Sequence, residues 1–516
     1  MDNSLAGDGE TVAGTGDGPT TIESSDGRVE LTGNIDSIKA SILYNHDLAP
    51  LHLDRRNWNT YNFVALWAAM SACIPTYMLS SGLIASGMNW WQALLTILLG
   101  NTIVLIPILL NSHPGTKYGI PFPVFARASY GTMGSNLPAL MRAVVACGWF
   151  GIQAWIGGQA IYEFMRALVP GWQTMLGSAQ IEGHYPTEWF SFAVFWSLNI
   201  LIIFKGMDLL KKVQGIAAPF VMIMTAALVF WAINKANGLG ALIAEKGKFD
   251  SMSSFLPIFF PSLTAMIGFW ATLSLNMPDF TRFGRSQKEQ TIGQAVALPL
   301  AMLIFSAMGV VITSAAIVIY PDAPAKDLWD PVKLIARFDS HLLVAVSMFT
   351  VAVATLSVNI AANVVSPAND FANAFPKWIS FQRGGLITGV AGILLQPWKL
   401  IADPSGYIFV WLLGYSGGLG SIAGVLIADY WLIRKTKLNL PDLYLEKGEY
   451  TFTAGWNQAA LVATIVGCAA AWVHCLPESM VGASFHSMTK PLFEYGWFVG
   501  LFVSGLVYYL MMKAKK

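Results

Sequence analysis

The sequence predicts an all-α polytopic membrane protein with about 12 transmembrane helices, and three observations carry that prediction. Of 516 residues, 55% are hydrophobic and only 12% charged, where a soluble domain carries roughly a quarter charged residues. The mean hydropathy is +0.53. Apolar stretches long enough to cross a bilayer, about 17–25 residues each, recur along the whole chain. So little polar surface cannot cover a soluble globule of this size.

Taken in order, residues 1–35 are rich in Gly, Ser, Thr and acids with no apolar core, and are expected to be disordered. They have neither the basic start nor the apolar middle of a signal peptide. Spans are expected at 62–86, 91–111, 138–168, 189–204, 213–234, 255–277, 292–320, 341–366, 386–402, 407–433, 458–475 and 494–512. With both termini on the cytoplasmic side, the inner segments hold 20 Lys and Arg residues near span ends and the outer loops hold 8. That bias follows the positive-inside rule and supports an even number of crossings in a plasma membrane. The loop around Lys246 runs against the trend.

Net charge is +1, which gives no sign of a nucleic-acid polymer as partner. Four cysteines, Cys73, Cys147, Cys468 and Cys475, fall inside expected spans without a CxxC pair, and read as small apolar side chains. The seven histidines fall in loops or near span ends with no spacing for a shared metal or catalytic site. An intramembrane enzyme would need a nucleophile with its base, or metal ligands. No such set is visible, and no cofactor is expected.

Two spans look broken. The first carries Pro75 in "ACIPTYMLSSG", and the sixth carries Pro261, Gly268 and Pro278 in "FFPSLTAMIGFWATLSLNMPDF". Proline inside a helix removes a donor and clashes with the carbonyl four residues back. Interruptions at corresponding positions five spans apart point to two inverted five-helix repeats around a site near the bilayer midplane. Freed carbonyls at such breaks are able to hold a cation.

Polar side chains at membrane depth mark that site, because each is costly unless paired or facing a cavity. The third span has Trp149 and Gln153 one turn apart, on one face. The sixth has Trp270 beside Gly268. The eighth has Asn359 and Asn363, four apart, with Ser357 and Ala354 on a small-residue surface. Trp155 and Phe150 point elsewhere on the third helix and read as packing. A carboxamide matches an N–H beside a C=O on a flat ring, and indoles stack on such rings. With no charged residue on these faces, the expected ligand is a neutral planar amide heterocycle such as a nucleobase or cyclic ureide. Asp279, Arg282, Asp370 and Asp429 at the inner ends are candidates for gating pairs.

At these residues the chain resembles the nucleobase–cation symporter-1 family. The likeness runs through "GTKYGIPFPVFARASYG", "RAVVACGWFGIQAWIGGQA", "GFWATLSLNMPDFTRF", "SVNIAANVVSPANDFANAFP" and "GVLIADYWLIRK", from about residue 45 to 510. The resemblance implies a LeuT-like arrangement of two inverted five-helix repeats plus two C-terminal helices, working by alternating access. On that basis 1–45 is a disordered cytoplasmic tail, 46–440 the inverted-repeat transport core and 441–516 the two additional helices. It implies substrate contacts at Trp149, Gln153, Phe269, Trp270 and Asn363, with Phe269 acting through its backbone. It further implies a cation site at Ser71, Ile74, Ala354, Ser357 and Val358. Valine lacks the hydroxyl expected at that last position, so both sodium and proton remain open as coupling ion. The wording around Asn363 resembles allantoin carriers, and that around Gln153 uracil and purine carriers. A non-transporting nutrient sensor would keep the same binding residues. Oligomeric state is not legible.

Overall fold

The computed structural model describes residues 18–205, 223–239 and 246–515. Among them, nine helices are long and apolar enough to cross a membrane, and the bent pair Thr60–Ser71 and Ile74–Ala85 makes a tenth. Ile223–Lys235 is the described part of the fifth expected span, whose residues 213–222 lie outside the described ones. Phe381–Leu394 is the ninth. Each expected span therefore has a helical counterpart. Cys475, at the end of the eleventh, is exposed rather than buried.

Sequence sets where these helices start. The first four N–H groups of a helix lack an internal acceptor, and a side-chain oxygen at the cap supplies one. Asn59 and Asn89 accept from Asn62 and Gln92 in reciprocal capping boxes at the first and second spans. Ser251, Ser286, Ser340, Ser380 and Asn457 cap the sixth, seventh, eighth, ninth and eleventh.

The interruptions fall beside the prolines rather than at them. The first span bends by 57° between Ser71 and Ile74, and Pro75 lies in the first turn of the second half, where its missing N–H has no helical partner to lose. In the sixth span Pro261 stays inside Met252–Phe269. The break comes at Trp270–Thr272, followed by the short helices Leu273–Asn276 and Pro278–Thr281. The eighth span, His341–Asn363, is interrupted at Val364 before Val365–Ala374. Three carbonyls at the first two breaks gain side-chain donors from other spans. Tyr407 Oη donates to Pro75 O at 3.2 Å, Tyr415 Oη to Gly268 O at 2.8 Å and Asn111 Nδ2 to Ser274 O at 2.7 Å.

The third span, Asn136–Leu168, is the central post, with 83% of its apolar window buried. It packs along the fourth and eighth spans, while the seventh packs along the first and second. Small residues allow this closeness: a Cβ on Gly148 would collide with the Trp411 ring, and one on Gly151 with Gly392 O. Among the described residues, helices not expected from sequence include Phe122–Tyr130, Ala325–Leu328, Pro331–Ile335 and Ala483–Glu494.

The tail expectation is corrected by a hairpin. Pro19–Glu23 pairs antiparallel with Val29–Gly33, in a register that sets Thr21 opposite Leu31. Val29, Leu31 and Ile38 are buried. Arg56 is buried too; it donates from Nη2 to Val29 O at 2.9 Å and Leu51 O at 2.6 Å, and from Nε to Leu51 O at 2.9 Å. The segment then crosses the ends of several spans on one side of the bundle. Asn45 donates to Pro376 O, Arg127 to Leu43 O, Arg282 to Asp47 O and Tyr444 to Leu48 O. Residues 1–17 of the expected tail lie outside the described ones. Arg56→Ala should detach the hairpin, since charged hydrogen bonds contribute about 1.5–3 kcal/mol each. Trypsin cleavage after Arg28 should then run at least about tenfold faster in the folded, detergent-purified variant, tenfold being about 1.4 kcal/mol.

Candidate substrate and ion site

Trp149, Gln153, Phe269, Trp270 and Asn363 are all buried, each 4–6% exposed. The rings form an edge-on series that crosses from the third span to the break in the sixth. Trp149 meets Phe269 at 5.2 Å and Phe269 meets Trp270 at 4.7 Å. Trp270 continues to Trp67 of the first span at 5.1 Å. Phe269 thus contributes its ring between two indoles, in addition to the backbone position implied by the resemblance.

Hydrogen bonds separate the polar groups into two kinds. Trp149 Nε1 donates to Tyr415 Oη at 3.3 Å, and Trp67 Nε1 to Gln294 Oε1 at 3.3 Å, so these indoles are held from behind. Gln153 Oε1 and Trp270 Nε1 are buried without a partner among the described residues. An unmade bond at a buried group is costly, and one acceptor with one donor is what a ring amide complements. Asn359 Nδ2 donates to Phe150 O at 3.3 Å and to Asn199 Oδ1 at 3.2 Å, tying the eighth span to the third and fourth. Its Oδ1 accepts from Asn363 Nδ2 at 3.0 Å, which orients the second asparagine.

The ion-site residues gather less completely. Ile74 and Ala354 line one mostly apolar cavity of about 90 Å³, together with Cys73, Thr350 and Val351. Ser357 is buried and Val358 half-buried. Ser71 O accepts from Cys73 N within the bend. Ser71 Oγ and Thr355 Oγ1 are buried without partners among the described residues. Thr355 was not among the sequence candidates; its hydroxyl lies three residues before Val358, on a neighbouring part of the same face. No group of three or more His, Cys, Asp or Glu suited to a metal occurs among the described residues.

Buried charges cluster at the end of the bundle that the N-terminal segment crosses, while the pairs Glu163–Arg166 and His184–Glu188 lie towards the other end. Arg142 Nη1 meets Asp370 Oδ2 at 3.1 Å with both side chains buried. Asp279 Oδ1 accepts from Phe122 N at 3.0 Å, and Asp429 pairs with Arg434 at 2.8 Å. Arg282 instead donates to Asp47 O. Arg127, on the buried helix between the second and third spans, bonds Asn373 Oδ1 and two carbonyls. Burial lowers its pKa to about 10, which leaves it cationic at neutral pH.

The profile of a family described as permeases for cytosine and purines, uracil, thiamine and allantoin matches residues 50–500. The chain belongs to this permease family. It is 40% identical to an allantoin permease of Bacillus subtilis, over 91% of this chain and 93% of that one. It is 38% identical to a purine-uracil permease of Arabidopsis thaliana, over 91% of this chain and 78% of that one. Its fold matches the nucleobase-cation-symport-1 transporter Mhp1 at 24% identity. The closed, bromovinylhydantoin-bound form gives a TM-score of 0.72 over 92% of this chain and 96% of that one. The inward-facing form gives 0.73 over 92% and 95%. The protein is therefore a multi-pass membrane permease with two inverted five-helix repeats and two further helices.

Tyr415 was missed from sequence because a tyrosine in a span reads as packing; only its two bonds, to Trp149 and Gly268, show its place. Tyr415→Phe should keep the fold and weaken ligand binding by roughly fivefold, about 1 kcal/mol for one neutral hydrogen bond. In a Trp149→Phe background the same change should cost less, because only the bond to Gly268 O is then lost, read by a double-mutant cycle of binding affinities.

Proposed function

We propose that the protein imports a neutral nucleobase or cyclic ureide, of the allantoin, uracil or hydantoin class, by cation symport and alternating access. It works in the cell membrane with both termini in the cytoplasm. The observation that carries this reading is the pairing of an unpartnered acceptor, Gln153 Oε1, with an unpartnered donor, Trp270 Nε1, in a site walled by indoles. None of the candidate substrate residues is charged, which favours a neutral ring over an ionic solute. Cytosine, purines, uracil and allantoin among the family's described substrates, and the allantoin and purine-uracil permeases among its relatives, agree in chemical class; thiamine, a cation, does not.

In this reading Trp149 and Trp270 stack on the ring, Gln153 and Asn363 bond its amides, and Asn359 supports Asn363. The bends at 72–73 and 270–272 let half-helices move while the third and eighth spans keep the site's other wall. Gln153→Leu should leave insertion and folding intact yet weaken binding by roughly five- to hundred-fold, about 1–3 kcal/mol for an unsatisfied amide. Asn363→Ala should resemble it, whereas Asn359→Ala should lower thermal stability. Competition by allantoin, uracil, hydantoin, cytosine and xanthine against one labelled ligand identifies the substrate. Unchanged binding by Gln153→Leu would reject the assignment.

Coupling follows from the ion-site residues. Val358 offers no oxygen where a hydroxyl is expected, so a sodium ion would depend on Ser357 and main-chain oxygens of Ser71, Ile74 and Ala354. Hard cations of this kind take about six oxygens. Replacing choline by sodium should therefore change substrate affinity by less than about fivefold, and linkage requires the reciprocal effect on sodium. Val358→Thr should raise that dependence. Tenfold tighter binding in sodium by the native protein, about 1.4 kcal/mol, would overturn this account.

A further inference from the structure

We propose that the helix Ala483–Glu494, which connects the eleventh and twelfth spans, lies in the bilayer surface and binds phospholipid acyl chains through Phe485, Met488 and Leu492. At about 100° per residue these three share one arc of the helix. They are exposed by 44%, 78% and 38%. Soluble surfaces seldom leave such a stripe uncovered on a short helix.

The other arcs are accounted for. Thr489 is buried and His486 and Phe493 are half-buried, facing the end of the eleventh span. The His486 ring lies 3.9 Å from that of His474, and Phe493 lies 6.0 Å from it. On the far side are exposed Ser484, Ser487 and Lys490, and Lys490 pairs with Glu494 at 3.4 Å. The apolar arc sits about 100° round from the protein-facing arc, with the polar arc roughly opposite both. A helix lying against a protein wall, with lipid beneath and water above, needs three faces in that arrangement.

The tether fixes its depth. Only Tyr495 separates the helix from Gly496, the first residue of the twelfth span. Ile465 of the eleventh span and Phe502 of the twelfth are 63% and 68% exposed on the hydrocarbon-facing belt. The stripe on the connecting helix is continuous in the chain with that belt, and this favours lipid over a soluble partner.

The test uses the full chain in vesicles of phosphatidylcholine and phosphatidylglycerol. With Cys73, Cys147, Cys468 and Cys475 replaced by serine, Met488→Cys and Ser487→Cys are each labelled with an environment-sensitive fluorophore. The label at 488 should be quenched by doxyl-labelled lipid at least about threefold more than that at 487, and iodide should show the reverse order. Equal quenching at both sites overturns the proposal. Shielding of 488 from both quenchers also overturns it, in favour of a second copy of the chain on this face. A cysteine-independent measurement is hydrogen exchange over 483–494 in the same vesicles. The native chain should be protected, and a variant with Phe485, Met488 and Leu492 changed to serine should lose that protection; unchanged exchange sinks the idea.

Discussion

A carbonyl freed inside a hydrocarbon layer finds no water, so each break in a spanning helix needs a donor from a neighbour. Here the tenth span serves both principal breaks. Tyr407 reaches Pro75 O, and Tyr415, eight residues further on, reaches Gly268 O. The second span adds Asn111 at Ser274 O. Gly268 O already accepts from Ala271 N at 3.0 Å, so Tyr415 is its second donor, whereas Ser274 O lies four residues before Pro278 and has no helical N–H at that position. The same tyrosine that satisfies Gly268 also accepts from Trp149, so the wall of the candidate site and the break beside it are held by a single hydroxyl.

That arrangement explains why the site needs no charge. The first and sixth spans supply bends, the third supplies a packed post, and the eighth supplies amides held by other amides. Asn359 is held by Phe150 O and Asn199 and in turn accepts from Asn363, which fixes the orientation of the second amide. The fully buried ion pair lies away from these residues, where Arg142 and Asp370 join the third and eighth spans.

Much of this was legible in the sequence, for reasons that differ by level. Span positions follow from composition, because nothing but length and hydropathy decides them. The broken spans were legible from Pro75, Gly268 and Pro278, but the bends themselves lie at Ala72–Cys73 and Trp270–Thr272. Proline is tolerated in a first turn, so it marks the start of a half-helix rather than the gap before it. The hairpin at 19–33 was illegible. Its buried residues, Val29 and Leu31, are too few to stand out in a polar tail, and Arg56 recruits them from outside the segment. The two asparagines of the eighth span were indistinguishable as polar groups on one face; hydrogen-bond partners on other helices tell them apart. Tyr415 and Thr355 carried no local signal for the same reason.

The strap formed by the N-terminal segment has a consequence for biogenesis. It is made first, yet its partners come last: Ile42 N bonds Glu446 Oε1 across 404 residues and Tyr444 bonds Leu48 O across 396. At synthesis rates of about 5–20 residues per second, those acceptors and donors emerge roughly 20–80 s after the tail. Residues 42–48 therefore wait, solvated and undocked, until ten spans have been made, whereas the hairpin before them has Arg56 to hold it from the start. Docking of residues 42–48 requires that the chain beyond the tenth span has been delivered, and an assembly arrested before that point would leave this strap open.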